Sequence, residues 1–189
     1  MHIQTHVMSG FCVGDLIPLS AKERFFCMLA ASLPDLDGIT YIFGQNAYWE
    51  THHVYCHNLL FALILSGILT LFSAHRIRCF LLYFLLVHLH FVMDLLGSGE
   101  GWTIPYLWPF HGMELSISAW DFDSWQNKAA GLVFLLWCLG IAVFRKRTIF
   151  EWIMPGLDRQ LAAYFSKLDF RTRSPENQEK HADFSERKE

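Results

Sequence analysis

Apolar residues in this chain come in runs too long for a strand and too continuous for a half-exposed helix. Residues 58–74 and 79–96 are almost unbroken, and residues 129–144 form a third run. A helix that crosses a bilayer needs about 20 apolar residues, within a range of about 17–25. The first two runs approach that length and the third is marginal. Two weaker segments precede them: residues 6–19, which contain Asp15, and residues 25–33, which stop at Pro34. Both are short for a span and read as buried or re-entrant helices. Residues 149–168 are amphipathic, with Phe150, Trp152, Leu157, Leu161, Phe165 and Leu168 among their apolar positions and a break at Pro155-Gly156; such a segment lies along a membrane surface. From Asp169 the chain is charged and has no apolar periodicity, the pattern of a disordered tail. The expectation is an all-α integral membrane protein of three to five hydrophobic helices. Its parts are an embedded domain over 1–148, an interfacial segment over 149–168 and a charged tail over 169–189.

Composition supports that picture. The chain is 53% hydrophobic and only 17% charged, with a mean hydropathy of +0.25, whereas a soluble domain carries about 25% charged residues. A very apolar soluble helical bundle is the competing reading. The net charge of −3 and the lack of a basic stripe argue against a nucleic-acid partner. The five cysteines are odd in number and form no CxxC pair, so neither a disulfide framework nor a thiolate zinc site is indicated. The start, Met1-His2-Ile3-Gln4, lacks the basic region of a cleavable signal peptide.

Charge orders the loops. Lys22 and Arg24, Arg76 and Arg78, and Arg145 to Arg147 fall in three loops that alternate to one side, which the positive-inside rule makes cytoplasmic. The opposite side holds five of the seven tryptophans, Trp49, Trp102, Trp108, Trp120 and Trp125, and tryptophan favours the membrane interface.

That same side collects histidines and aspartates at the mouths of apolar segments, where an ionised group is costly without a partner. His90 and Asp94 are four apart and share one helix face, so both reach a single ion. His88 points elsewhere on that helix and reads as a polar packing residue or as a group supporting the ligands from behind. Asp35 and Asp37 end a segment in a turn that allows both to reach one ion, or one to reach metal and the other a ligand histidine. Three histidines, His52, His53 and His57, stand just before an apolar run. His53 and His57 have helical spacing, and His52 converges with His57 if the segment unwinds. His6 and His2 are weak signals alone, and Trp108-Pro109-Phe110-His111 reads as an aromatic lip. A set of His and Asp donors without thiolates suits Zn²⁺, Mn²⁺ or Fe²⁺ and does not choose among them. A divalent ion with open positions activates water for attack on a phosphoryl or carbonyl centre, and a spare carboxylate, Asp35 or Asp37, is placed to act as general base.

Thr5-His6, Leu33-Pro34-Asp35-Leu36-Asp37, His52-x4-His57-Asn58 and His90-x3-Asp94, followed by Trp108-Pro109-Phe110, resemble the bacterial membrane-bound metal-dependent hydrolases, a family also described as LexA-binding and inner-membrane-associated. The likeness covers residues 1–145 and implies a multi-pass protein of the bacterial inner membrane, an α-helical scaffold distantly similar to zinc phospholipase C and P1 nuclease, and hydrolysis of a phosphoester or lipid-like substrate. It implies metal-ligand roles for His6, Asp35, Asp37, His57, His90 and Asp94, with zinc the first choice of ion and manganese or iron the others. It gives His52 a ligand or proton-transfer role, which makes His52 and Asp35 the catalytic candidates. His53 stands where that family commonly has arginine, Asn58 where it has serine, and His111 where it has serine; these departures touch the substrate contacts more than the metal. The competing functions are a metal-binding or transport protein and an interaction scaffold whose tail recruits a cytosolic protein partner. Candidate ligands gathered toward one face favour a surface-open site over a path from one side to the other.

Overall fold

The computed structural model describes residues 1–167. The expected tail over 169–189, together with Leu168, lies outside the described residues. Within them the chain is helical, and the nearest approach to a strand is one antiparallel bridge between Ile104 and Leu115. The all-α class read from the sequence is what the structure shows. Contacts divide the chain into two units, Met1–Leu136 and Trp137–Glu189.

In the first unit α1 (Ile3–Asp15) and α2 (Ala21–Ser32) pack antiparallel. Glycine makes this possible. A Cβ on Gly10 would stand 2.5 Å from Cys27 O and 2.8 Å from Met28 Cα, and one on Gly14 would stand 3.0 Å from Cys27 Sγ. The start of α2 is fixed by a reciprocal capping box: Glu23 donates its N–H to Ser20 Oγ at 3.2 Å, and Ser20 donates its N–H to Glu23 Oε2 at 2.9 Å. The other carboxylate oxygen of Glu23 accepts from Ala74 N at 3.0 Å and from Cys79 Sγ at 3.5 Å. One buried carboxylate thus ties the start of α2 to the turn between α4 (Leu59–Leu71) and α5 (Arg76–Gly97).

The segment ending at Pro34 does not stop there. It continues in 3-10 turns over Leu33–Phe43. Proline lacks the N–H and crowds the carbonyl four residues back, so the tighter winding replaces the α-helix. The combined stretch Ala21–Phe43 is then long and apolar enough to cross a membrane, as are α5 and α6 (Trp125–Arg145). This corrects two sequence expectations. Residues 25–33 belong to a longer element, and residues 129–144 to a helix of full spanning length. The run 58–74 moves the other way, because α4 has only 13 residues. Its start is set by Asn58, which accepts from Phe61 N at 2.8 Å and donates its amide to Val54 O and Tyr55 O, both at 3.0 Å.

The core lies between α2, α4 and α5, around Phe26, Ala30, Leu65, Tyr83, Leu86 and Val87. The pairs Glu23–Cys79, Phe26–Tyr83 and Ala31–His90 fall in the same order along α2 and α5, so these helices run parallel. Their basic starts, at Lys22 and at Arg76 and Arg78, share one end, and their His/Asp-bearing ends share the other. Arg24 is not a free loop charge; it is buried and donates to Leu19 O. At the other end the chain after α5 folds back: Ser118 N and Trp120 N donate to Leu95 O and Leu96 O at 2.8 and 3.0 Å. The fully buried Asn127 amide then donates to Gly97 O at 2.7 Å and Phe122 O at 2.8 Å, while its oxygen accepts from Trp120 Nε1 at 2.7 Å. No sequence signal marked this asparagine.

In the second unit Asp158 accepts from Thr148 N at 2.6 Å and from Thr148 Oγ1 at 2.8 Å. Pro155, read as a break, is the first residue of α7 (Pro155–Ser166), where its missing N–H costs nothing.

Candidate functional site

Topology brings four distant segments to one place. α1 and α4 begin there, α5 ends there, and α2 passes there into its 3-10 turns. One donor atom from each of Asp35, His57, His90 and Asp94 lies within 4.8 Å of the others. His57 Nε2 and His90 Nε2 are 3.0 Å apart, and Asp94 Oδ2 is 3.3 and 2.8 Å from them. Asp35 Oδ1 stands 4.0 Å from His57 Nε2 and 3.6 Å from His90 Nε2.

The remote ring nitrogens fix what these atoms offer. His90 Nδ1 donates to Ala31 O at 2.8 Å, because a carbonyl only accepts. His57 Nδ1 stands 3.1 Å from Asp37 Oδ2 and donates to that carboxylate. In the neutral rings both Nε2 atoms are therefore lone pairs, and they face each other and two carboxylates. Such a set repels itself unless a cation, a metal ion or a proton, sits among its members. Both rings are held as metal-ligating histidines usually are, by a backbone carbonyl or a carboxylate on the far nitrogen. Two imidazoles and two carboxylates suit a divalent ion of the zinc, manganese or iron type. Cys56 is no competitor: burial, with the charge of Asp37 added, pushes its thiol up to about 12.

The remaining candidates take other places. Asp37 is outside the group of four and bonds two histidines, accepting from His57 and from His52 Nδ1 at 2.7 Å. His6 approaches the far oxygen of Asp94, Nε2 to Oδ1 at 3.1 Å, and its ring lies 3.9 Å from that of His90. The Met1 amino group donates to that oxygen too, and to Ser98 Oγ at 3.3 Å. His53 holds a left-handed backbone, φ 68°, with Nε2 3.8 Å from Asp94 Oδ2; burial keeps its imidazole well below its ordinary value. His2 stacks edge-on against Phe122, and His88 bonds Phe84 O and Tyr106 Oη. Neither joins the cluster.

A cavity of about 250 Å³ opens over these donors. Asp35 and Asp94 reach its floor, His52, His53 and Ser98 line it, and Tyr48, Trp102 and Phe122 wall it. Tyr48 stacks on His52 at 4.7 Å, and Trp49 stacks on Trp102 at 4.3 Å. Tyr48 and Trp49 come from α3 (Gln45–Thr51). The tryptophan pattern of the sequence points to interfacial anchoring for Trp102 and marks nothing at Tyr48, whereas both wall the cavity.

The chain belongs to the YdjM inner membrane protein family. The model of that family matches residues 1–154, which include every residue of the site. Neither the curated proteins nor the solved structures contain a match. Family membership and three helices of spanning length make this a membrane protein.

One consequence concerns protons. Burial pulls the His57 imidazole down, but the hydrogen bonds and charges of Asp37 and Asp94 more than offset this and lift it from 6.5 to about 9. In the metal-free chain the cation in the cluster is then a proton, with His57 Nε2 donating to its neighbours. The stability this gives is fully present below pH 6.5 and is lost as pH rises through about 9. A divalent ion taken up by the same donors would expel that proton. The apparent affinity for Zn²⁺ is therefore expected to rise about tenfold per pH unit as pH climbs from about 6.5 toward 9. Calorimetric titration in two buffers of different ionisation heat reads the proton release directly, and a pH-independent affinity would refute it.

Proposed function

We propose that this family member is a multi-pass, membrane-bound, metal-dependent hydrolase acting on a phosphoester or lipid-like substrate. The observation that carries the reading is the pair of imidazole lone pairs and two carboxylates gathered at the floor of a cavity that also presents His52. Asp35, His57, His90 and Asp94 would hold the ion, with His6 beside Asp94 as a further ligand candidate. When bound, a divalent ion supplies Lewis-acid polarisation of a phosphoryl oxygen and of an attacking water.

The chain's own residues supply the rest. In its neutral form His52 donates from Nδ1 to Asp37, which leaves Nε2 as a lone pair to take a proton from water in the cavity. Asp37 is the positioning group for His52 and for His57, fixing one tautomer in both. Asp35, the least buried of the four donors, combines a ligand position with a place in the cavity wall and is the second candidate for proton transfer. Tyr48 and Trp102 hold the His52 ring and narrow the mouth. Recruitment of a cytosolic partner by the tail, with which the LexA-binding part of the resemblance is compatible, concerns residues outside those described.

The test is turnover of bis-p-nitrophenyl phosphate and of phospholipid vesicles by protein loaded with Zn²⁺ or Mn²⁺. His52→Ala should keep its metal and lose about 10²–10⁴ in rate, the range for a general acid or base. Metal-replete wild type without turnover of either substrate would refute the reading.

A further inference from the structure

A second cavity, of about 160 Å³, lies between the first turns of α4 and the turn that follows Tyr106. Leu59, Leu60 and Leu63 form one wall, and Leu107, Trp108, Phe110 and His111 the other. The second wall is built rather than draped. Leu59 donates its N–H to Tyr106 O at 2.8 Å, and Trp108 and Phe110 donate to Pro105 O and Leu107 O at 2.9 and 3.0 Å. The Tyr55 ring meets Trp108 edge-on at 5.4 Å. The open side of the slot is continuous with the outward apolar face of α4. Leu63 lines the slot and is 44% exposed, and Ile64, Ile68 and Leu71 beyond it are at least half exposed. In an inner-membrane protein that face meets acyl chains, so the slot opens sideways into hydrocarbon. Phe110, 81% exposed at the rim, would be an unfavourable surface in water.

We infer that this slot holds one acyl chain of a bilayer lipid and brings its polar end to the His/Asp site. An acyl chain fits what the walls offer: a narrow, apolar channel in which His111 is the one polar side chain besides the Trp108 indole, too little to satisfy a peptide's N–H and C=O groups. A second copy of the protein would need a face of roughly 800 Å² per partner for a stable contact, and this slot is a crevice. The link to the site is covalent. In the segment from His52 to Leu59, the first residues line the cavity over the metal donors and the last line the slot. A lipid whose tail enters beside Leu59 has its head next to the residues that carry His52, His53 and His57. That this lipid is the substrate rests on the hydrolase reading, whereas its binding does not.

The test uses the full chain in vesicles of phosphatidylethanolamine and phosphatidylglycerol doped with a phospholipid carrying a mid-chain diazirine. After illumination, adducts are mapped by mass spectrometry, with chelator present so that turnover plays no part. The peptides containing Leu59–Leu63 and Leu107–Phe110 are expected to label several-fold more than the outward face of α6 at Leu132, Val133 and Leu136, which serves as bulk-lipid reference. Leu63→Trp, at a partly exposed position, should fill the slot and erase the excess without changing α6 labelling or metal content. Phe110→Ser, at the exposed rim, should weaken it with no risk to the core. Equal labelling of slot and α6, an excess that survives Leu63→Trp, or adducts joining two protein chains would each overturn the proposal. Slot labelling in a protein that hydrolyses nothing would uphold the slot while removing the hydrolase reading.

Discussion

Asp94→Asn and His90→Ala are both expected to purify without metal, where the wild type is expected to carry it stoichiometrically. Asp94 spends both oxygens on the cluster, Oδ2 toward His57 and His90 and Oδ1 toward His6. The asparagine keeps the shape and removes the charge, leaving Asp35 as the one carboxylate among the four donors. A divalent ion in so buried a place has too little compensation to stay. His90→Ala removes a lone pair whose direction is set by Ala31 O. His88→Ala is the control. It lies on the same helix but bonds Phe84 O and Tyr106 Oη, so it should retain full metal. Elemental analysis of detergent-purified protein reads all three, and full metal in Asp94→Asn and His90→Ala together would dismiss the centre.

The second large effect is on folding. Gly10→Ala is expected to destabilise the chain by about 3 kcal/mol, the upper end for overpacking. The new methyl would meet backbone atoms, Cys27 O and Met28 Cα, which cannot swing aside as a side chain can. Gly67→Ala is the matched substitution in α4, where a Cβ meets nothing within 4 Å. It should stabilise by roughly 0.5–1 kcal/mol, because alanine gives up less backbone entropy in a helix than glycine. Thermal midpoints in one detergent should move in opposite directions for the two variants. A Gly10→Ala protein as stable as wild type would mean that α1 and α2 are less closely packed than described.

His90 and Asp94 were legible as a pair because helical spacing alone puts them on one face, and a helix was certain there. Asp35 and Asp37 were only half legible. Two positions apart, they part company in the 3-10 winding after Pro34, so that Asp35 faces the other donors and Asp37 turns to His52 and His57. The sequence allowed that division but could not choose it. The histidine triplet was ambiguous for a related reason. Its backbone leaves the α-helix after Thr51, and the left-handed residue at His53 sends neighbouring rings to different partners. The Ala31 carbonyl, Tyr48 and Asn127 were invisible, since their roles depend on which helices run parallel and where the loop after α5 returns. Span lengths failed where apolar content and helix length diverge: α4 is apolar but short, and α6 is helical well beyond its apolar run.

The shortness of α4 sets how far the chemistry lies from either surface. Its 13 residues rise about 20 Å, against a hydrocarbon thickness of about 30 Å. On α5, His90 stands fourteen residues beyond Arg76, again about 21 Å along the axis. With the turn between α4 and α5 and the basic start of α5 taken at one face of the membrane, the cluster would sit about 10 Å below the opposite face. The linkage region of a lipid lies in the interface outside that hydrocarbon, so on the hydrolase reading proposed above a substrate would come down past the Tyr48 and Trp102 rings, or the bilayer would thin around the short α4. On that reading the length of α4 would set how far a substrate must move before any contact with the donors is made.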